Sequence, residues 1–255
     1  MQFALRHERL PTKSLLFNDV LYRIKVSEEI LDPLRVFVTD KEFVKLYVKA
    51  MVGEQYIVPT IKILRSIAEV ESYDFPSSCC IKPTHASGTI IIRRNNEPVD
   101  LEKIKAWFSV NHYQSGREAN YKSLKAKVIV EPMVFDDFNV VDYKVFCYGG
   151  KPRLIQVDID RHIDHTRKYF DTQWNELDFS MTYRRCPRDL EKPDNLEEML
   201  EIAAKLSEDI SFVRVDMYSD CKNCKVGEIT NCSESATGIF MPASAEKIAS
   251  QIIFG

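Results

Sequence analysis

With 255 residues, 45% hydrophobic and 29% charged, the chain has a globular composition able to bury one sizeable core or two small ones, which excludes disorder and fibrous repeats. A formal net charge of −3 excludes a global basic field for nucleic acid or an anionic membrane, so any anion site has to be local. Charges spread through the first 26 residues interrupt any apolar leader or span, and seven irregularly spaced cysteines fit reduced thiols, so the expected compartment is the cytoplasm.

Residues 1–35 are mixed, with a helix expected around 15–25. At Thr39-Asp40-Lys41-Glu42 a capping residue precedes Phe43, Val44, Tyr47, Val48 and Met51 at helical spacing, and Gly53 ends the run. Lys41 is then either a solvated lysine or a cation near a helix start that reaches an anion. Tyr56-Ile57-Val58-Pro59 reads as a short strand, and residues 60–70 as a connection with helical character.

Residues 79–93 form a strand, a loop of small residues and a second strand. Lys82 stands at the end of the first strand, and Ser87, Gly88 and Thr89 offer hydroxyls and backbone N–H groups, a cradle that suits phosphate. The same pattern also serves ordinary hairpins. A helix is expected over 100–109, followed by the polar segment Tyr113-Gln114-Ser115-Gly116-Arg117-Glu118. A strand over 126–131 delivers Glu131, and Pro132 stops it, as a linker between lobes would.

Residues 140–148 and 153–159 alternate around Gly149-Gly150 as a hairpin, which puts Asp142 and Lys144 on one face. A polar block follows with Asp158, Asp160, Arg161, His162, Asp164, His165, Arg167 and Lys168, either a solvated loop or one wall of a site. Residues 194–210 are the strongest helix, with Asp194 as its cap and Glu197 as the capping-box partner. Residues 211–218 and 225–231 make a second hairpin that brings Asp216 beside Glu228, with Arg214 on the same face.

Two carboxylates with a hydroxyl or amide oxygen from Thr230 or Asn231 suit a hard cation such as Mg²⁺, most of whose other ligands are phosphate oxygens and water. Arg214 then faces developing negative charge. A cross-strand charge pattern on a solvated sheet would look similar. Cys221-x-x-Cys224 has no second such pair and reads as a turn. Residues 243–254 form an amphipathic closing helix.

The order and spacing of several segments resemble the ATP-grasp superfamily, and within it the TupA-like group associated with teichuronopeptide and capsular polysaccharide biosynthesis. These segments are Thr39-Asp40-Lys41 through Val58-Pro59, Ile81-Lys82-Pro83-Thr84-His85-Ala86-Ser87-Gly88, Gly116-Arg117-Glu118, Asp142-Tyr143-Lys144, Gln156-Val157-Asp158-Ile159-Asp160-Arg161, His165-Thr166-Arg167, Trp174-Asn175, the helix start Glu191-Lys192-Pro193-Asp194-Asn195-Leu196 and Phe212-Val213-Arg214-Val215-Asp216-Met217-Tyr218. The resemblance spans roughly residues 35–240. It implies an α+β fold in which two lobes sandwich ATP after a reduced, mostly helical N-terminal piece. The expected division is 1–75 for that piece, 76–130 for the small lobe with the phosphate loop and 131–255 for the large lobe with the metal site.

The resemblance further implies that Lys41 and Lys82 hold the ATP phosphates, that His85, Ser87, Gly88 and Thr89 belong to a closing loop, and that Glu131 lies at the adenine hinge with Asp142 near the ribose. It puts Lys144, Arg161 and Arg167 toward the phosphates or the acyl donor, Asp216, Glu228 and Asn231 on Mg²⁺, and Arg214 on the transferring phosphoryl group. The activity it implies is an ATP-dependent carboxylate–amine ligase working through an acylphosphate on a uronic-acid glycan precursor, with a glycan-linked or nucleotide-sugar carboxylate and an amine or amino acid as partners. A non-catalytic nucleotide-binding subunit of a polysaccharide-assembly complex and a sugar kinase are the alternatives. Two departures stand out. The usual Glu-x-Asn is here Glu228-Ile229-Thr230-Asn231, and the loop contains one glycine.

Overall fold

The computed structural model describes residues 2–137, 140–161 and 163–255, so His162 of the polar block lies outside the described residues. Helices run over Gln2–His7 (α1), Phe17–Val26 (α2), Pro33–Thr39 (α3), Phe43–Met51 (α4), Ile67–Ser72 (α5), Leu101–Trp107 (α6), His112–Gly116 (α7), Leu196–Ser207 (α8) and Ala245–Phe254 (α9). The first strands are Lys62–Leu64 (β1), Cys79–Pro83 (β2), Ile91–Arg93 (β3) and Val128–Glu131 (β4). Then come Val141–Tyr148 (β5), Lys151–Ile159 (β6), Thr166–Phe170 (β7), Glu176–Leu177 (β8), Ser180–Met181 (β9), Phe212–Ser219 (β10), Cys224–Thr230 (β11) and Phe240–Met241 (β12).

Two principal antiparallel sheets result, a small one in the order β1-β4-β2-β3 and a large one in the order β11-β10-β5-β6-β7-β8. Alternation decides what each face carries. On the large sheet, Tyr143, Val145 and Cys147 of β5 and Val213, Val215 and Met217 of β10 point to one side, where α8 and α4 cover them with Leu196, Met199, Ala203, Leu206, Val44 and Val48. The opposite face is divided along the strands. Phe146, Leu154, Tyr169 and Phe212 are covered by α2 and α9, whereas Asp142, Lys144, Asp158, Arg214 and Asp216, two or four residues further along the same strands, line a cavity.

The small sheet repeats the plan. Cys79, Ile81, Val128 and Val130 pack against Ile104 and Trp107 of α6 and Val70 of α5, while Cys80, Lys82 and Glu131 turn to the same cavity. The first 75 residues are shared between the two layers. Helices α2 and α4 pack on the large sheet, and β1 pairs with β4 in the small one.

Local corrections have local causes. The strand expected at 56–59 is a 3-10 turn over Glu54–Tyr56 followed by a single bridge between Ile57 and Val226. Helix α8 starts after Asn195, one residue later than expected and without a side-chain cap, because the Asn195 amide oxygen accepts from the Ser219 hydroxyl at 3.0 Å, while Glu197 pairs with Lys192 at 2.6 Å. Helix α3, unexpected from periodicity, is set by Asp32, whose carboxylate accepts from Leu34 N at 2.8 Å, and by Pro33 in the first turn.

Candidate active site

The two hydrophilic faces enclose a cavity of about 730 Å³. Its large-sheet wall is built by register. Asp216 lies directly opposite Glu228 and Arg214 opposite Thr230 across the β10–β11 pair, and Asp216 lies opposite Lys144 across the β10–β5 pair. The register slips after Asp216, so that Met217 pairs with Val226 and Gly227 is the extra residue. A Cβ at Gly227 would stand 2.8 Å from the Tyr218 ring, so this close approach requires glycine.

Charges on this wall interlock. Arg214 donates from Nε and Nη2 to the two Asp216 oxygens at 2.6 Å each, from Nη1 to Ser233 at 2.7 Å and from Nη2 to Thr230 at 3.2 Å. Lys144 lies between Asp142 at 2.5 Å and Asp216 at 2.9 Å, and Arg161 reaches Asp142 at 2.8 Å. Arg167 pairs with Asp158 at 2.6 Å and with Glu234 at 3.0 Å. Burial opposes charge on Lys144 and Arg214, but their carboxylate neighbours outweigh it and hold both firmly protonated. Burial also pushes the Glu228 carboxyl up, yet Lys41, Arg214 and Lys144 outweigh it and keep Glu228 well below the usual carboxylate range.

The small-sheet wall is simpler. Glu131, only 3% exposed, accepts from Lys82 at 2.7 Å and from Lys45 of α4 at 2.5 Å. Burial disfavours the Lys82 ammonium, but Glu131 more than restores it, so Lys82 stays charged at the cavity edge. Lys41, just before α4, donates to the Ala86 carbonyl at 2.8 Å and stands 3.7 Å from Glu228, linking the loop to the opposite wall. Beyond Ala86, Ser87 and Gly88 are exposed, and Gly88 at φ +80° occupies a backbone region that glycine adopts readily.

Most residues singled out from sequence therefore meet at one cavity: Lys41, Lys82, Ser87, Gly88, Thr89, Glu131, Asp142, Lys144, Arg161, Arg167, Arg214, Asp216 and Glu228 all line it. Two do not. His85 is turned away from the cavity, where its Nε2 contacts the Trp107 carbonyl at 3.0 Å and its Nδ1 accepts from Lys127 N at 3.4 Å. Burial lowers its basicity, which suits a neutral ring that anchors the loop stem.

Asn231 is the second correction. One residue past Thr230, it falls on the opposite face of β11, where its amide donates to the Arg35 carbonyl at 3.2 Å and the Thr39 hydroxyl at 3.1 Å and its oxygen accepts from Arg35 at 2.9 Å. Thr230 is the residue on the Glu228 face, and its hydroxyl donates to Glu228 at 2.9 Å. The register slip that could have brought Asn231 round lies at Gly227, on the other side of Glu228.

Sequence reasoning missed Lys45, Ser233, Glu234 and the partnership of Asp158 with Arg167. For Asp158, its place in the polar block two residues beyond Gln156 was a usable signal. Lys45 and Glu234 are brought to the site by α4 packing and by the turn after β11, which no local pattern announces.

Asp216, Glu228 and the Thr230 hydroxyl supply hard oxygen donors suited to Mg²⁺. Among the described residues no group of three or more His, Cys, Asp or Glu side chains closes around a metal position. Cys221 is exposed and Cys224 buried, both as free thiols at the hairpin tip.

A cavity between two α+β layers, lined by lysines on one side and by an Arg-x-Asp/Glu hairpin on the other, defines an ATP-grasp protein. The chain belongs to the TupA-like ATP-grasp family, whose sequence model matches residues 22–253. No curated protein gives a significant match. Among solved structures, D-alanine–D-alanine ligase from Helicobacter pylori is 15% identical with a TM-score of 0.47, covering 86% of this chain and 59% of its own. The Bacillus anthracis enzyme of the same name is 14% identical with a TM-score of 0.47, at 86% and 67% coverage. The ATP-grasp ligase PsnB, complexed with a minimal precursor, is 14% identical with a TM-score of 0.45, at 79% and 53% coverage. The chain thus spans about half to two thirds of the length of these structures.

Proposed function

We propose that the protein is an ATP-dependent carboxylate–amine ligase that forms an amide through an acylphosphate, acting on the uronic acid of a cell-surface polysaccharide precursor in the cytoplasm. The observation that carries this reading is the pairing of Arg214, Asp216 and Glu228 on one wall with Lys41 and Lys82 on the other, across a single cavity. Phosphoryl transfer demands positioning and neutralisation of charge more than a covalent nucleophile, and this arrangement supplies both.

In this reading Lys41 and Lys82 bind ATP phosphates, and Ser87, Gly88 and Thr89 close over them with backbone N–H groups and hydroxyls. Glu131 holds Lys82 at the strand end beside the adenine, and Asp142 stands near the ribose. Lys144, Arg161 and Arg167 draw the carboxylate donor toward the γ-phosphate. Arg214 stabilises charge on the phosphoryl group and then on the tetrahedral carbon. Asp216 and Glu228, with Thr230, would hold Mg²⁺, which when bound offsets charge between the phosphates. The functional division follows: residues 76–130 carry the phosphate loop, residues 131–255 carry the acyl-transfer wall, and the first 75 contribute Lys41 and Lys45 from the rim.

Incubation with ATP, Mg²⁺, uronic acids and candidate amines should release ADP and phosphate together with an amide. AMP and pyrophosphate would replace the acylphosphate by an acyl-adenylate. A phosphorylated sugar formed without any amine would make the protein a kinase.

A further inference from the structure

The cavity is not uniformly cationic. Away from Lys82 it is bounded by Glu118, Tyr121, His112 and Ser235, none of which the phosphate and acyl-donor roles use. Glu118 is 6% exposed, and its carboxylate accepts from the Ser235 hydroxyl at 2.6 Å. Among the described residues it forms no ion pair, whereas Glu131, Asp142, Asp158 and Asp216 each do. The nearby buried cation, Lys25, spends its ammonium on the carbonyl and hydroxyl of Ser235 at 2.9 and 3.2 Å, so it supports Glu118 from behind. A carboxylate buried at a cavity wall without a counter-ion is costly unless a cation arrives.

The surroundings fit such a cation. Tyr121 offers an aromatic ring beside the carboxylate, packed on His112 at 4.3 Å, and an ammonium is attracted to a ring face. Burial, then Glu118 and Glu228, push the Tyr121 phenol well up, so it stays neutral. Glu118 lines the same cavity as Glu228 and Arg214.

We propose that Glu118, with Tyr121 and Ser235, is the binding site for the cationic amine of the acceptor, and that its carboxylate takes a proton from that amine. This rests on the ligase reading. The ammonium gives one proton to Glu118, and the freed lone pair forms the C–N bond to the carbonyl carbon of the acylphosphate. The C–O bond to phosphorus's oxygen then breaks, and phosphate leaves with the electron pair and takes the second amine proton. Burial raises the Glu118 carboxyl, which makes it a better base for this step than a solvated glutamate. The acceptor class is therefore an amine that is charged in solution.

The test needs neither natural substrate. Methylammonium chloride is titrated into wild-type protein, Glu118→Gln and Glu118→Asp, each with Mg²⁺ and a non-hydrolysable ATP analogue, with tetramethylammonium as the control for bulk cation effects. Gln keeps the acceptor for Ser235, so the fold should survive, and analogue affinity checks this. Saturable methylammonium binding in the wild type, weakened at least tenfold in Glu118→Gln and largely kept in Glu118→Asp, is the expected result. Equal affinity in wild type and Glu118→Gln, or no binding to the wild type, would overturn the assignment. Failure of the wild type to bind the ATP analogue would instead sink the ligase reading, while the methylammonium comparison still decides Glu118.

Discussion

On the large sheet, Asp142, Asp158 and Asp216 are bound by Lys144, Arg161, Arg167 and Arg214 in a continuous network, and most of these side chains touch more than one partner. On the small sheet, a single carboxylate, Glu131, sits between Lys82 and Lys45, and the wall around this triad carries Lys41 and the hydroxyls and backbone of Ser87, Gly88 and Thr89. A dense network fixes geometry before any substrate arrives, which suits the wall where charge develops during reaction. A triad flanked by the short loop between β2 and β3 suits, on the ligase reading, a wall that grips and releases. On the proposed ligase reading, the difference divides catalysis from holding between the two walls, and that division can be broken at either side.

The largest effect is expected at Asp216. Asp216→Asn should lower ADP release on the order of 10³-fold, the scale of losing one group that acts on the transition state, while the ATP dissociation constant moves little. Turnover near the wild-type level would dissolve the contrast between the walls. Lys82→Ala should act the other way, weakening ATP about 10- to 100-fold, the worth of a charged hydrogen bond. Lys45 remains to pair with Glu131, so thermal unfolding should show an intact fold. Unchanged nucleotide affinity would remove the small sheet from the grip.

Smaller effects sharpen the same division. Asn231→Ala leaves buried Arg35 without one acceptor and should cost about 1–3 kcal/mol of stability with no change in Mg²⁺ requirement. Thr230→Val should raise the Mg²⁺ concentration for half-maximal turnover and leave stability nearly unchanged. The two variants behaving the other way round would restore Asn231 to the metal.

The smallest effect is a pH dependence at Glu118. Burial raises its carboxyl above the usual value of about 4.3, so the folded chain holds a proton that the unfolded chain has released. Stability fully present below that value is therefore lost as pH rises through the folded pKa. Glu118→Gln should unfold at a higher temperature than the wild type at pH 7, and the gap should close by about pH 4. A gap that stays constant with pH would remove the charge from the argument.

Much of this was legible before any coordinates. Strict alternation over residues 211–218 and 140–148 announced both which face of each strand is apolar and which carries Asp142, Lys144, Arg214 and Asp216, because a period of two leaves no other choice. The same rule separates Thr230 from Asn231, yet a bulge on either side of Glu228 would have fitted the pattern, and only packing of Tyr218 on Gly227 selects one. His85 misled for a different reason. Its place beside Ser87 and Gly88 suggested a loop ligand, whereas a buried histidine follows its hydrogen-bond partners, here Trp107 and Lys127, which come from 22 and 42 residues away. Lys45 was invisible, and Glu118 was legible only as part of a polar segment, because their partners Glu131 and Ser235 come from elements distant in the chain.

The anchoring of His85 also sets an entropy scale. With His85 tied to Trp107 and Lys127, and the Ala86 carbonyl held by Lys41, the part of the loop beyond these anchors shortens to about Ser87, Gly88 and Thr89. Freezing a residue's backbone costs roughly 1–2 kcal/mol, so closing three of them costs only a few kcal/mol, and no distant group can be carried in by so short a span. If this loop closes over nucleotide as proposed, a span this short adds little specificity from its own motion, and nucleotide release should require no large rearrangement of the chain. On the proposed ligase reading, discrimination between acids and between amines is then left to the rigid walls, where it can change by single side chains without disturbing the phosphate loop.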